Sequence, residues 1–255
     1  MSFFKAPNGS HHCCLKNLYI QSINNSEREM VFCFLKYHIG TRTMSRYAGK
    51  KVKCKCCGKQ YDARFLQSYY SDSPMGLDTN PHMPEIYDSV ILCPHCGYAT
   101  DDVTQSVDSE VRNFVESSEY QKMFTDKDFD ENLKKLLLSA QTEEMKKDFR
   151  KAAYQYLEAF WRAKEIDNEQ SCKIAGQAVD NFSKYLEETK DLDAAMILVD
   201  LLRQTRNFKE AAETAESLAG FIPKDGKFIQ SVLAYEEKLI AERDSDAHNV
   251  SEVAQ

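Results

Sequence analysis

The stretch Cys54-Lys55-Cys56-Cys57-Gly58-Lys59-Gln60-Tyr61 returns in outline as Cys93-Pro94-His95-Cys96-Gly97-Tyr98-Ala99. In each stretch, two cysteines separated by two residues precede a glycine, and 35 residues lie between the pairs. Four thiolates are the ligand set of a closed, tetrahedral zinc site, and a glycine after each pair permits the positive φ that turns backbone N–H groups toward sulfur. We therefore predict that Cys54, Cys57, Cys93 and Cys96 bind one structural Zn²⁺ ion in a zinc ribbon over residues 48–100.

Three chemical interpretations compete for these cysteines. A structural zinc site is favoured because both pairs have metal-knuckle spacing. A redox dithiol of the thioredoxin type uses one C-x-x-C pair at a helix N-terminus in a βαβ unit, which this segment lacks. A catalytic zinc ion needs an open coordination position, and four thiolates leave none. The structural site is the prediction, and a thiol redox protein is kept as an alternative.

Neighbouring residues of the same chemical types receive other roles. Cys56 is a spare thiol in the first knuckle, and His95, at the inner position of the second, is expected to face solvent. Cys33 and Cys172 are expected to be buried as small hydrophobic residues. Because the cysteines outside the pairs have no regular spacing, they do not indicate a disulfide framework, and we predict a reducing, cytoplasmic location.

The segment between the pairs is longer than in most zinc ribbons. We predict a strand in the stretch Tyr87–Leu92 and a long loop over residues 62–86, because the stretches 71–76 and 79–84 are rich in turn-forming residues. Doubling a loop costs about 0.6 kcal/mol of closure entropy, whereas a structural zinc ion contributes on the order of 10 kcal/mol. The insertion is therefore compatible with the metal site, and we expect it to present Tyr69, Tyr70 and the Asn80-Pro81 turn.

Residues 1–47 form the least regular part of the sequence, and we predict a poorly ordered N-terminal extension. Residues 26–38 have a capping-box start, Ser26 with Glu29, and could form a short amphipathic helix. The run of histidines and cysteines at 11–14 has side chains too close in sequence to converge on one ion, so no second metal site is predicted. Met44, just ahead of the first pair, is a candidate for the native start.

Residues 101–245 have a helical pattern without proline until Pro223. Caps are predicted at Asp128, Thr142 and Asp191, and Gly220 separates the last two helices. A tail over 246–255 is expected to fray. The predicted helices cover residues 108–123, 128–140, 142–166, 168–189, 191–205, 207–221 and 225–243.

The helical region contains a weak internal repeat. The run Phe149-Arg150-Lys151-Ala152-Ala153 returns as Phe208-Lys209-Glu210-Ala211-Ala212. The spacing of aromatic and small residues is typical of tetratricopeptide-type helical hairpins, although 59 residues is not a multiple of their 34-residue period. The predicted fold is therefore α+β but mainly α, with a small zinc ribbon followed by antiparallel helical hairpins. The residues expected in the helical core are Tyr154, Tyr156, Leu157, Phe160 and Trp161.

The distribution of charge separates the same two parts of the chain, the ribbon and the helical region. Residues 1–100 hold 12 Lys/Arg against 7 Asp/Glu, and residues 101–255 hold 21 against 33. No apolar run is long enough for a membrane span, and the N-terminus shows no secretory signal. The sequence also lacks the zinc-protease, serine-hydrolase, phosphate-loop and dinucleotide motifs, so we predict that the protein is not an enzyme.

The basic half raises the alternative of a nucleic-acid-binding protein. Lysines and arginines surround the first cysteine pair and could contact phosphates, with Tyr61, Phe65, Tyr69 and Tyr70 available for stacking. Two observations weigh against it. Four thiolates around Zn²⁺ carry a net negative charge that nearby lysines stabilise, and the sequence pI is about 5.5. The basic residues are Arg46, Lys50, Lys51, Lys53, Lys55, Lys59 and Arg64.

Several of these stretches resemble a bacterial family catalogued as domain of unknown function 2225. The resemblance rests on the two knuckles with Lys59, Tyr61, Tyr98 and Ala99, on Asn80-Pro81 and Tyr87, and more weakly on the stretches 201–211 and 240–244. It implies a zinc-ribbon head joined to tetratricopeptide-like helices over about residues 50–250, and it implies no established activity. The chain departs from the family in its N-terminal extension and at Lys55, where proline is common.

These patterns predict a non-catalytic, zinc-binding adaptor or regulatory protein. Zinc would fix the two knuckles, and the helices would hold an unidentified protein partner. Nucleic acid through the basic ribbon is the second prediction for a partner, and no membrane contact is expected.

Overall fold

The computed structural model describes residues 45–69, 71 and 73–253. Helices dominate, and short antiparallel strands occupy the N-terminal part, so the predicted class, α+β but mainly α, is confirmed. The strands are β1 (Arg46–Lys53), β2 (Gln60–Ser68), β3 (Ile91–Leu92) and β4 (Ala99–Thr100), and Pro84–Ser89 forms a 3-10 helix. The helices are α1 (Ser109–Val115), α2 (Ser118–Thr125), α3 (Glu131–Met145), α4 (Phe149–Glu165), α5 (Ser171–Glu188), α6 (Leu192–Gln204), α7 (Phe208–Ala219), α8 (Lys227–Glu242) and α9 (Val250–Val253).

Several expectations lie outside the described residues. These are the helix at 26–38, the histidine and cysteine run at 11–14, Cys33, Met44 and Tyr70. Strand β1 begins at Arg46, two residues before the predicted start of the ribbon.

Two small hairpins build the ribbon. Strands β1 and β2 are antiparallel, with Val52 opposite Tyr61 and Lys50 opposite Ala63. Val52 and Ala63 lie on the same face of this hairpin, because opposite residues and residues two apart on paired strands share a face. Both side chains are buried. Strands β3 and β4 pair in the same antiparallel sense. Each hairpin carries one cysteine knuckle at its turn, so the two turns bring the knuckles together.

The segment between the knuckles differs from its prediction. Strand β2 continues to Ser68, so the loop begins later than residue 62. The predicted strand is wrong at Tyr87, Asp88 and Ser89, because Pro84 starts a 3-10 helix there, and the strand itself covers only Ile91–Leu92. The Tyr87 side chain is buried, and its hydroxyl donates a hydrogen bond of 2.8 Å to Glu165 Oε1 on α4.

The loop and the C-terminal residues are paired with each other. Leu77 N–H donates to the His248 carbonyl, and Val250 N–H donates to the Met75 carbonyl, each at 2.9 Å. Gly76 and Asn249 thereby form an antiparallel bridge. The expectation that 246–255 frays is therefore wrong for its described part, because backbone pairing with the loop holds it in place. We call this pairing of residues 75–77 with 248–250 the strap.

A buried polar contact fixes the loop to the helices. Asp78 is buried, and its Oδ2 atom accepts a hydrogen bond of 2.8 Å from the Trp161 indole N–H. The same oxygen lies 3.3 Å from the Gln204 amide nitrogen, and Oδ1 accepts from Asn80 N–H at 3.0 Å. Burial raises the pKa of Asp78, and the nearby Asp200 carboxylate raises it further. The Asn80-Pro81 turn therefore flanks a buried anchor.

Helices α3 to α8 follow one another as antiparallel hairpins with short turns. At three turns a non-glycine residue has positive φ: Lys147, Asp167 and Arg206. The next N–H then donates to a carbonyl five residues earlier, as in the 2.8 Å bond from Asn207 to Leu202, which satisfies a free carbonyl of the helix end. The repeat seen in the sequence follows from this geometry, because Phe149 and Phe208 each open the helix after such a turn.

The helix boundaries require three corrections. The predicted helix 108–123 is two helices, because Ser117 caps a new one at Tyr120 N–H. The caps expected at Asp128 and Thr142 are wrong: Asp130 caps α3, and Thr142 is buried inside that helix. A turn at 146–148 therefore replaces the break expected near residue 141. Asp191 caps α6 as predicted.

The hydrophobic core runs without interruption from the ribbon into the helices. Tyr156, Leu157, Phe160 and Trp161 are buried as predicted, and Tyr154 is half-buried. The expectation for Cys172 is wrong: it lies near the start of α5, where its side chain is exposed. Among the described residues, none of the helices is both long and apolar enough to cross a bilayer.

One guanidinium group is also part of the core. Arg203 on α6 is fully buried. It forms an ion pair with Asp200, and its Nε atom donates a hydrogen bond of 2.8 Å to Glu236 Oε2 on α8. Its Nη1 atom donates to the carbonyls of Asp244 and Asp246, at 3.0 and 2.8 Å. Burial raises the pKa of Glu236 to about 9, with the Asp200 charge as the second cause. The Arg203 side chain therefore ties the end of the chain to the helix stack.

Candidate metal centre

Two knuckles of matching geometry form the candidate centre. Gly58 has φ +75° and Gly97 has φ +79°, as their position after each cysteine pair predicts. In the first knuckle, Gly58 N–H donates to the Cys54 carbonyl at 2.8 Å. In the second, Gly97 N–H donates to the Cys93 carbonyl at 2.9 Å. Each turn thus directs two sulfur atoms to the same side.

The four predicted ligand residues converge. Their sulfur atoms, from Cys54, Cys57, Cys93 and Cys96, all lie within 4.8 Å of one another. The Cys54–Cys96 and Cys57–Cys93 sulfur distances are 3.9 and 3.8 Å. A tetrahedron with metal–sulfur bonds of about 2.3 Å has edges of about 3.8 Å, whereas a disulfide requires about 2.05 Å. The spacing therefore fits a tetrahedral metal site and not a disulfide.

Electrostatics support the same interpretation. Hydrogen bonds from the thiols of Cys93 and Cys96 lower the pKa of Cys54 to about 2. The hydrogen bond to Cys54 raises the pKa of Cys93 to about 11, and it also raises the pKa of Cys96. Without a cation, the cluster therefore keeps protons on some sulfurs so that others can be thiolates. A divalent cation removes this conflict, because it stabilises four thiolates at once.

The helices after the ribbon hold the second knuckle. The Tyr120 hydroxyl on α2 donates to the Gly97 carbonyl at 2.8 Å, and the Gln121 amide donates to the Cys96 carbonyl at 2.9 Å. The Phe124 ring packs directly against Gly97, where an added Cβ would lie 2.6 Å from a ring carbon. The sequence gives no signal for these supporting residues, because no local motif links α2 to a knuckle more than twenty residues earlier.

Two residues inside the knuckles take different positions. Cys56 is buried, and a hydrogen bond from Cys96 lowers the pKa of its thiol, but it is not one of the four converging sulfurs. His95 is exposed as predicted. The His95 ring meets the Tyr61 ring edge to face, with centroids 6.2 Å apart.

The basic residues of the ribbon reach solvent. Five lysines are exposed, and none of them forms an ion pair with any residue of the described ranges: Lys50, Lys51, Lys53, Lys55 and Lys59. The Arg64 guanidinium stacks on the Tyr47 ring at 3.6 Å. Tyr69 is 48% exposed, whereas Tyr61 and Phe65 are half-buried.

No family model, curated protein or solved structure matches this chain. The resemblance to domain of unknown function 2225 therefore stays a prediction. The class defined by the geometry is a protein with a four-cysteine cluster compatible with a metal site, joined to a stack of helical hairpins.

Proposed function

We propose that this protein is a non-catalytic adaptor whose N-terminal half is folded around one structural Zn²⁺ ion. The observation that carries the zinc site is the convergence of four cysteine sulfurs from two knuckles. Cys54, Cys57, Cys93 and Cys96 would supply all four ligands, so the ion has a structural role and leaves no position for a substrate. Two-stranded hairpins are marginal on their own, and the ion would join two of them.

The adaptor role rests on an apolar groove at the surface of the helix stack. The groove is formed by α5, α6 and α7 and is lined by Leu186, Leu192, Leu198, Leu218 and Phe221. Leu192 and Phe221 are half-buried, and Lys190 and Asp191 stand at its edge. A peptide that inserts one large apolar side chain between polar neighbours has the chemistry to fill it. The helices would then hold the partner while the zinc ribbon supports them.

Metal analysis of the Cys54→Ser and Cys93→Ser variants tests the zinc site. The wild-type protein, purified under reducing conditions, should contain one zinc per chain by elemental analysis, and each variant should lose it. Cys172→Ser is the matched control, because Cys172 is exposed and outside the cluster. Iron in place of zinc, or full zinc content in both cluster variants, would contradict the proposal. A disulfide among the four positions in cells would favour the thiol redox alternative.

Partner capture with a groove variant tests the adaptor role. Leu192→Glu places a charge in the groove at a half-buried position, and Lys173→Glu, on the exposed surface of α5, is the control. A partner that the wild type and K173E retain, and L192E loses while still binding zinc, supports the groove. Equal capture by all three proteins contradicts it.

The five exposed lysines of the ribbon support a second candidate function, binding of single-stranded nucleic acid. For a single strand, each phosphate contact makes the slope of the logarithm of the binding constant against the logarithm of the salt concentration more negative by about 0.7, so five contacts predict a slope of about −3.5. Lys53→Gln with Lys55→Gln should bring the slope to about −2, and Lys224→Gln with Lys227→Gln, in the helical half, should leave it unchanged. A slope that the ribbon variants do not alter would exclude this surface.

A further inference from the structure

A second cavity lies between α3 and α4, and it shares no lining residue with the cysteine cluster or the apolar groove. It has a volume of about 290 Å³. Its wall is one stripe of α4, with residues at helical spacing from Arg150 to Glu158, facing Ser139 and Glu143 of α3 and Asp101 after β4. Every lining residue carries a polar group. Pockets of about 300 Å³ and above hold small-molecule ligands in proteins.

Most charges around this cavity are already paired. Lys151 Nζ lies 2.9 Å from Asp101 Oδ2, and Glu143 Oε1 lies 2.9 Å from Lys146 Nζ. Thr100 donates a further hydrogen bond of 3.1 Å to the same Glu143 oxygen. These groups therefore form the walls of the site and need no external partner.

Glu158, at one end of the stripe, is different. Within the described ranges its carboxylate has no ion pair, and the Ser89 hydroxyl, 3.3 Å from Oε2, is its hydrogen-bond donor. The charge of Lys135 on α3 acts to lower the pKa of Glu158, but its ammonium group is paired with Asp88 at 2.8 Å. One turn earlier, Gln155 Oε1 is buried without a hydrogen-bond partner in the described part of the chain. One acceptor at this end, Gln155 Oε1, thus lacks a donor within the described residues, and a buried acceptor left unpaired costs about 1–3 kcal/mol.

Arg150, at the other end, is exposed and supplies a positive charge. Its guanidinium lies 5.6 Å from the Tyr154 ring centroid, and no carboxylate of the described residues pairs with it. Eight residues separate Arg150 from Glu158, so their Cα atoms lie about 12 Å apart along the helix axis. Because Arg150 and Glu158 lie at opposite ends of this wall, the site suits a ligand with opposite charges at its two ends.

We propose that the α3–α4 cavity binds a small amino-carboxylate ligand, with its ammonium group at Glu158 and Gln155 and its carboxylate at Arg150. The charge state of Glu158 gives this site a distinctive property. Burial raises the pKa of Glu158 to about 8, so most of its carboxyl groups are protonated at pH 7. An ammonium ion favours the carboxylate, and binding therefore releases a proton from Glu158.

Isothermal titration calorimetry of the full chain with L-lysine tests the proposal. Repeating the titration in buffers with different ionisation enthalpies measures proton release, which should be about 0.9 proton per ligand at pH 7. Affinity should rise about tenfold per pH unit below pH 8 and level off above it. Among the other charged groups that face Glu158 or the cavity, Asp88 and Asp101 have lowered pKa values and Lys151 a raised one, so none of these three titrates between pH 6 and 9.

Three variants separate the proposed contacts from general charge effects. Glu158→Gln keeps the size of the side chain, and it should weaken L-lysine binding at pH 8 by at least about tenfold and abolish proton release. Arg150→Gln should weaken binding of L-lysine but not of n-butylamine, which has no carboxylate. Glu169→Gln, an exposed substitution beyond the end of α4, should change neither. Circular dichroism at each pH confirms that the variants are folded.

Two results would overturn the proposal. One is the absence of a saturable heat signal up to about 10 mM L-lysine. A dissociation constant above that concentration corresponds to a binding free energy weaker than about 3 kcal/mol, and the cavity would then hold only water. The other is equal affinity and equal proton release for the wild type and E158Q, which would place the ligand elsewhere on the protein.

Discussion

The two knuckle glycines provide a controlled test of how the second knuckle is supported. Gly58 and Gly97 have nearly the same positive φ, so an alanine at either position meets the same backbone strain of about 1–2 kcal/mol. Their surroundings differ. An added Cβ at Gly58 has no atom within 4 Å, whereas at Gly97 it lies 2.6, 2.9 and 3.0 Å from three carbons of the Phe124 ring.

The expected costs follow from this difference. Gly58→Ala should lower the free energy of unfolding by about 1–2 kcal/mol. Gly97→Ala should lower it by the same strain plus about 1–3 kcal/mol for overpacking against Phe124, or about 2–5 kcal/mol in all. Phe124 belongs to the helix that also holds the knuckle through Tyr120 and Gln121, so a shift of this helix to relieve the contact would disturb those hydrogen bonds.

Urea unfolding of both zinc-saturated variants, followed by circular dichroism, measures the difference. Gly97→Ala with Phe124→Leu, which frees space at the ring, should recover part of the additional loss. Equal destabilisation by G58A and G97A would show that α2 does not constrain the second knuckle, and the account of this helix as its support would be wrong.

Two further predictions concern buried acids. Glu236 keeps its proton in the folded state up to about pH 9 but loses it near pH 4.5 when unfolded, so stability should fall as pH rises between these values, by at most about 1.4 kcal/mol per unit. Glu236→Gln should flatten this dependence in urea titrations from pH 5 to 9, and an unchanged slope would refute the assignment. Trp161→Phe keeps an aromatic ring but removes the donor to Asp78, and it should cost about 1–3 kcal/mol. Unfolding of that variant must be followed by circular dichroism, because Trp161 is the sole tryptophan and the variant has no tryptophan fluorescence. Adding Asp78→Asn should reduce the loss of stability. An equal or larger loss in the double variant would contradict the proposed contact.

Local sequence signals account for the parts of the structure that were predicted correctly. The cysteine pairs and the glycines after them define the knuckles, because ligand spacing and positive φ are properties of a few consecutive residues. Helices α5 to α8 begin and end within about three residues of their predicted limits for the same reason. Asp191 illustrates this, since an acidic residue before a helical pattern acts as a cap without help from the rest of the chain.

The errors concern contacts between residues far apart in the sequence. Asp78 and Trp161 meet only after the helices have packed, and nothing adjacent to Asp78 distinguishes it from a turn residue. Arg203 lies in a helical stretch where a charged residue is normally exposed. Asp200 is one turn away on the same helix, but Glu236 lies 33 residues later on α8. The strap was missed because backbone hydrogen bonds leave no pattern of side chains. Thr142 shows the reverse case, in which a good capping residue is buried because the helix continues past it.

The strap also affects the order of events during synthesis. Gly76 and Asn249 are partners in one bridge, and 173 residues separate them in the sequence. At about 5–20 residues per second, the ribosome adds Asn249 roughly 9–35 s after Gly76. During this interval the Leu77 N–H and the Met75 C=O are open to water or to other chains, since their native partners have not yet been made. Both knuckles are synthesised well before Asn249, so the strap can close only after both of them have been made.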